Sequence, residues 1–191
     1  MRSGHVAPPV HIPAGVTGTE GGIAVGAGPV VVDVYLDFLC PFCKQFELTA
    51  GPKLDELVRS RRIARLYHPM NILDEASTNR YSSRAASASG CAADQGRFVE
   101  YAYMLFVNQP PEGGPGLSDD ELIGLGTSLG VEDQDFEDSV RRHVYVDWAA
   151  YVTAKAALRG VNATPTVFVQ GKAVPANIQI ITAAVDAATN A

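Results

Sequence analysis

The 191 residues carry a formal charge of −6, with 47% hydrophobic and 19% charged side chains. A chain of this size and balance buries its own core as one domain, or one domain with a large insertion, and is neither disordered nor fibrous. The acidic balance leaves no basic stripe to neutralise phosphates, so no nucleic acid is expected as a partner, and no apolar run of about 18 residues is present to span a membrane.

Met1 to Thr19 is rich in Pro, Gly and Ala and lacks the basic start and apolar middle of a signal peptide. A flexible arm over residues 1–22 is expected, with any secretion signal or anchor lying outside this chain. Ile23 to Val25 reads as a short strand. Val30 to Phe38 is apolar and β-branched, the pattern of a strand buried on both faces. It leads into Cys40-Pro41-Phe42-Cys43 and a helix of roughly Cys43 to Ser60, whose Phe46, Leu54, Leu57 and Val58 form an apolar stripe. Gly51-Pro52 predicts a kink within it. A second strand follows over Ile63 to Tyr67, ended by Pro69.

Helices are then predicted over Ser77 to Ala93, Arg97 to Val107, Ser118 to Leu129 and Asp133 to Leu158. Ser118-Asp119-Asp120-Glu121 has the form of a capping box, the Pro/Gly-rich stretch Gln109 to Gly116 is a loop, and Gly160 caps the long last helix. The period then returns to that of strands, with Thr166 to Val169 and Lys172 to Val174 joined by a tight turn at Gln170-Gly171. An amphipathic helix over Asn177 to Ala188 closes the chain.

Three cysteines are too few to staple a domain of this size, so their spacing points to chemistry. Cys40 and Cys43 stand at a strand-to-helix junction, the place of a redox pair. A cysteine at a helix N-terminus faces unpaired backbone N–H groups and the positive end of the helix dipole, which stabilise a thiolate. Two intervening residues keep both sulfurs within one turn. Cys40 is therefore the expected exposed nucleophile and Cys43 the resolving thiol, with Pro41 suited to the first turn of the helix. The competing reading is half of a zinc site, for which Cys91 brings no second pair; a distant ligand such as His68 would be required.

Tyr35 to Phe46, reading YLDFLCPFCKQF, together with Thr164-Pro165-Thr166 and the helical block between them, resembles the DsbA-like branch of the thioredoxin superfamily. The resemblance implies an α/β fold: a thioredoxin-like sandwich, a mixed central sheet flanked by helices, built from residues 23–70 and 160–191 with 71–159 inserted as an all-helical domain. It implies a cis Pro165 packed against the cysteine pair, with Thr164 binding a substrate strand through its backbone. The implied activity is thiol–disulfide exchange, as an oxidase donating the Cys40–Cys43 disulfide to secreted proteins. The alternatives are an isomerase or reductase on the same fold, a glutathione transferase of the kappa type, against which Cys43 counts, and a non-catalytic binding module. Phe42 replaces the histidine of the best-known oxidases, and Thr164 their common valine.

No metal or organic cofactor is implied beyond the redox-active disulfide. The implied partners are unfolded or reduced substrate proteins and a separate membrane protein that reoxidises the pair, in the periplasm or cell envelope of a bacterium, with the chain a monomer. Among the neighbours, Asp37 reads as a proton relay for Cys43 or, the favoured alternative, as a hydrogen-bonded carboxylate at the strand end. Lys44 reads as a thiolate partner or a solvated charge, Glu47 as solvated, and Phe42 as exposed and touching substrate. Cys91, in a helix of small residues, reads as a buried small hydrophobe, and His143 as a surface residue of the long helix.

Overall fold

Val30–Leu36 form β3, an inner strand of a six-stranded mixed sheet. The computed structural model describes residues 6–190. The other strands are β1 (Val16–Thr17), β2 (Gly22–Val25), β4 (Ile63–Pro69), β5 (Thr166–Val169) and β6 (Lys172–Val174), in the order β1-β2-β4-β3-β5-β6. Only β3 and β4 run parallel, Val30 opposite Ile63 through Leu36 opposite Pro69; β1–β2, β2–β4, β3–β5 and β5–β6 are antiparallel. A parallel pair needs a crossover, which here is α1 (Pro41–Arg59).

Alternation along the strands separates two faces. Val32, Val34, Arg65 and Tyr67 lie toward α1, where Arg65 meets Glu47. Asp33, Tyr35 and His68 point the other way: the His68 ring stacks on Tyr35 with centroids 4.2 Å apart, and its Nε2 lies 2.8 Å from Asp33 Oδ1. Arg159 reaches the same group from the end of α6 (Val146–Leu158), 2.8 Å from the Tyr35 hydroxyl. The last helix, α7 (Ile178–Thr189), packs with α1 and against β3.

Between β4 and β5 in chain order stand α2 (Tyr81–Asp94), α3 (Phe98–Val107), α4 (Asp119–Ser128), α5 (Gln134–Arg141) and α6. Ala85 to Cys91 of α2 are all buried, which small side chains permit because neighbours come so close: a Cβ on Gly90 would meet Pro13 and Tyr145 at 2.8 Å. Ser118 and Glu121 form the capping box of α4.

Several expectations need correction. The arm over 1–22 is built into the fold where it is described: Val16 and Thr17 pair with β2, Pro13 is buried, and Ala14 N–H donates to Asp94 Oδ1 at 2.8 Å; residues 1–5 lie outside the described residues. The long helix over Asp133 to Leu158 is two helices. His143 takes φ +51° and Val144 N–H closes back on Ser139 O at 3.2 Å, ending α5 without glycine or proline. The bend lets α5 bury Phe136 and Val140, while α6 buries Trp148, whose Nε1 donates to Gly21 O at 2.8 Å. His143 belongs to the break rather than to a helix surface, its Nε2 3.0 Å from Asp119 Oδ2. Helix α1 begins at Pro41, β3 ends at Leu36, and α2 starts only at Tyr81, after a 3-10 turn over Asp74–Ala76. Pro52 lies inside helix α1, which spans it as one element.

Candidate active site

Strand β3 delivers the chain to the end of the sheet, and α1 starts at Pro41, with four residues between it and Leu36. Pro41 occupies the first helical position, where no N–H is needed, and Cys40 stands as N-cap with φ −70° and ψ 118°. Cys40 N–H donates to Asp37 O at 3.0 Å, and the Cys40 carbonyl accepts from Lys44 N–H at 3.1 Å as the first bond of the helix. Both cysteines are free thiols.

From β5 comes the opposing wall. The Thr164–Pro165 peptide is cis, and the Cys40 thiol donates to the Thr164 carbonyl oxygen at 3.4 Å. Cys43 is wholly buried. Cys40 is not the exposed sulfur anticipated: only 5% of the residue is accessible, because the 164–165 turn closes over it. What stands exposed is Phe42, at 70%. With Gln45, Phe46, Thr49, Thr164, Pro165 and Ala176 it lines a cleft of about 420 Å³ beside the sulfurs.

The two thiols are electrostatically distinct. Cys40 is pulled down from 9.0 to about 6, first by a hydrogen bond from the Cys43 thiol, then by the Thr164 side chain and the backbone of Cys43 and Phe42, against the cost of burial. Cys43 is pushed far upward, chiefly by burial and then by its hydrogen bond to Cys40. Thiolate character is thus confined to the sulfur at the helix tip.

Asp37 is completely buried, just past the end of β3. Its oxygens accept from Leu39 N–H at 2.9 Å, the Ser82 hydroxyl at 2.6 Å and Leu73 N–H at 3.0 Å. Burial raises its titration to about 6, against those three donors. It ties the turn that carries Cys40 to the start of α2. Lys44 is engaged with α3, its Nζ 3.4 Å from the Val107 carbonyl. Glu47 is not solvated: one turn beyond Cys43, it is buried in an ion pair with Arg65, whose guanidinium also sits 4.0 Å from the Tyr67 ring centroid. Cys91 is 2% exposed and its thiol is pushed up to about 12 by burial. Ser82 and Gln109 also reach the turn that carries Cys40, from α2 and from the loop after α3. Neither carries a local sequence signal, since a polar side chain at those positions reads as surface. Among the described residues, no group of three or more His, Cys, Asp and Glu could hold a metal ion.

A sheet of this order, with a Cys-x-x-Cys pair capping the crossover helix and a proline turn facing it, is the thioredoxin architecture. A family model described as thioredoxin matches residues 19–187. The reduced form of the disulfide bond oxidoreductase DsbG from Mycobacterium tuberculosis is similar over 93% of this chain and 98% of that chain, with a TM-score of 0.74 at 33% identity. Oxidised DsbA from the same organism is similar over 80% of this chain and 84% of that chain, with a TM-score of 0.71 at 35% identity. The chain belongs to the thioredoxin family, in its DsbA-like branch of thiol–disulfide oxidoreductases with inserted helices. Among curated relatives, the serine/threonine-protein kinase PknE of Mycobacterium tuberculosis is 32% identical over 120 residues, 58% of this chain and 21% of that protein. The chain therefore spans about a fifth of the length of the first curated relatives it matches.

Proposed function

We propose that the chain is an extracytoplasmic protein thiol–disulfide oxidase. A substrate thiolate attacks Cys40 Sγ of the Cys40–Cys43 disulfide; the S–S bond breaks, Cys43 leaves with the electron pair and takes up a proton. A second substrate thiolate attacks the substrate sulfur of the mixed disulfide and expels Cys40 as a thiolate. The substrate loses two electrons and the pair gains them. A separate membrane protein then takes the two electrons and restores the disulfide.

The observation that carries this reading is the opposite displacement of the two thiols. A sulfur that titrates near 6 is a good leaving group in the second step, and its stabilised thiolate favours the reduced pair, which makes the disulfide more oxidising. Cys43, held protonated, is slow to attack the mixed disulfide in reverse. The cleft beside Phe42 and Pro165 suits an extended segment of reduced protein whose backbone pairs with that of Thr164.

The test is the equilibrium of the pair against glutathione, combined with oxidative refolding of a reduced, unfolded protein. An oxidase equilibrates as the dithiol and speeds refolding. A strongly reducing pair that instead reduces insulin would support the reductase alternative, and inactivity in both assays a binding module.

A further inference from the structure

Three contacts join the end of α3 to the turn that carries Cys40. The Phe106 ring packs on Phe38 with centroids 5.1 Å apart, and Lys44 reaches the Val107 carbonyl. The third comes from Gln109, the first residue of the Pro/Gly-rich loop. Its Nε2 donates to the carbonyl oxygens of Phe38 at 2.8 Å and of Cys40 at 3.0 Å. A side-chain amide has two N–H donors, and both are spent on one short turn. Two carbonyls, two residues apart, are held toward a single nitrogen, which sets the peptide planes on either side of Leu39 and Cys40.

Those planes matter to the sulfur. The backbone of Phe42 and Cys43 helps to hold the Cys40 thiolate, and these N–H groups face it only while Cys40 keeps its capping conformation. Cys40 makes no side-chain cap of its own, so its orientation is imposed from outside the helix. Asp37 O holds the Cys40 N–H, and Gln109 holds the carbonyl.

The geometry points to Gln109 as a positioning residue of the redox turn, whose side-chain amide holds Cys40 in its helix-capping conformation and so tunes the redox equilibrium of the Cys40–Cys43 pair. This rests on Cys40 being the attacked sulfur. Gln109 acts through two carbonyls and donates nothing to the reacting atoms. It also makes the inserted helices a determinant of oxidising strength.

Gln109→Met keeps the length of the side chain and removes both donors; Gln109→Glu keeps the shape and sets a carboxylate against the two carbonyls. In the full chain, the Cys40 titration is followed by thiolate absorbance and the pair is equilibrated in glutathione buffers. The midpoint rises in the order wild type, Met, Glu. The glutathione equilibrium of the Met variant shifts about two- to tenfold toward the disulfide, the factor expected from the net worth of one hydrogen bond. Asn108→Ala is the control, because the Asn108 amide bonds only the Met104 carbonyl of its own helix at 2.9 Å, and it leaves both readouts in place.

A Met variant that titrates and equilibrates as wild type overturns the assignment. If the Met variant does not fold, an unmoved midpoint in the Glu variant overturns it equally. A wild-type Cys40 that titrates in the ordinary thiol range instead removes the underlying reading of Cys40, and this inference with it.

Discussion

Cys40 Sγ lies 3.4 Å from the carbonyl oxygen of Thr164, across 124 positions of sequence. The same threonine's side chain helps to hold the Cys40 thiolate. Thr164→Val keeps the branched shape and loses the hydroxyl. The Cys40 midpoint should rise from about 6, by about one to two units, the worth of one hydrogen bond to a charged sulfur. Thiolate absorbance against pH measures it, and an unmoved midpoint would take the hydroxyl out of the account.

The depressed Cys40 value has a consequence for stability. A group whose folded value lies below its unfolded value stabilises the fold above the unfolded value and loses that contribution as pH falls through the folded one. For Cys40 the window runs from 9.0 down to about 6. The reduced protein should therefore gain unfolding free energy relative to the oxidised protein as pH rises through that window, by up to about 4 kcal/mol. Urea unfolding of both redox forms at several pH values checks it; a constant difference would contradict the thiolate assignment.

Asp37 works with the opposite sign. Its folded value, about 6, lies above its ordinary 3.8, so the folded state binds the extra proton. Stability falls as pH rises through that interval, by at most about 3 kcal/mol. Asp37→Asn removes the titration and keeps an acceptor for Ser82 and Leu39, although Leu73 N–H loses its partner. In the oxidised protein, the variant should show a flatter dependence of the urea midpoint on pH than wild type. Parallel slopes would mean that Asp37 does not titrate there.

Glu47 and Arg65 form a buried pair; among the described residues Arg65 Nε and Nη1 have no hydrogen-bond partner, Nη1 lying 3.7 Å from Asp55 Oδ1. Arg65→Met leaves the Glu47 carboxylate buried without its counter-ion and should cost about 3–5 kcal/mol. Adding Glu47→Leu should recover most of that loss, since a buried pair repays its desolvation poorly. The double-mutant cycle, by chemical denaturation, decides it: a double variant as unstable as Arg65→Met would show that the arginine acts by packing on Tyr67 instead.

Strands β3 and β4, the capping box at Ser118 and the terminal hairpin were legible because each is written in local pattern. Hydrophobic period, turn chemistry and caps involve residues a few positions apart. The break at His143 was not legible, since a left-handed residue without glycine is bought by burial of Phe136 on one side and Trp148 on the other. Glu47 looked solvated for the same reason: its partner Arg65 is 18 residues away on another element.

Cys40-Pro41-Phe42-Cys43 was enough, by itself, to place a cysteine pair at a helix tip, because proline at the first helical position and cysteine before it are local constraints. Tertiary structure decided the rest. It closed the Thr164–Pro165 turn over Cys40, buried Cys43 and Asp37, and brought Ser82 and Gln109 to the turn from the inserted helices. Desolvation and hydrogen bonding depend on which atoms surround a group, and those atoms come from distant segments that only the folded chain assembles.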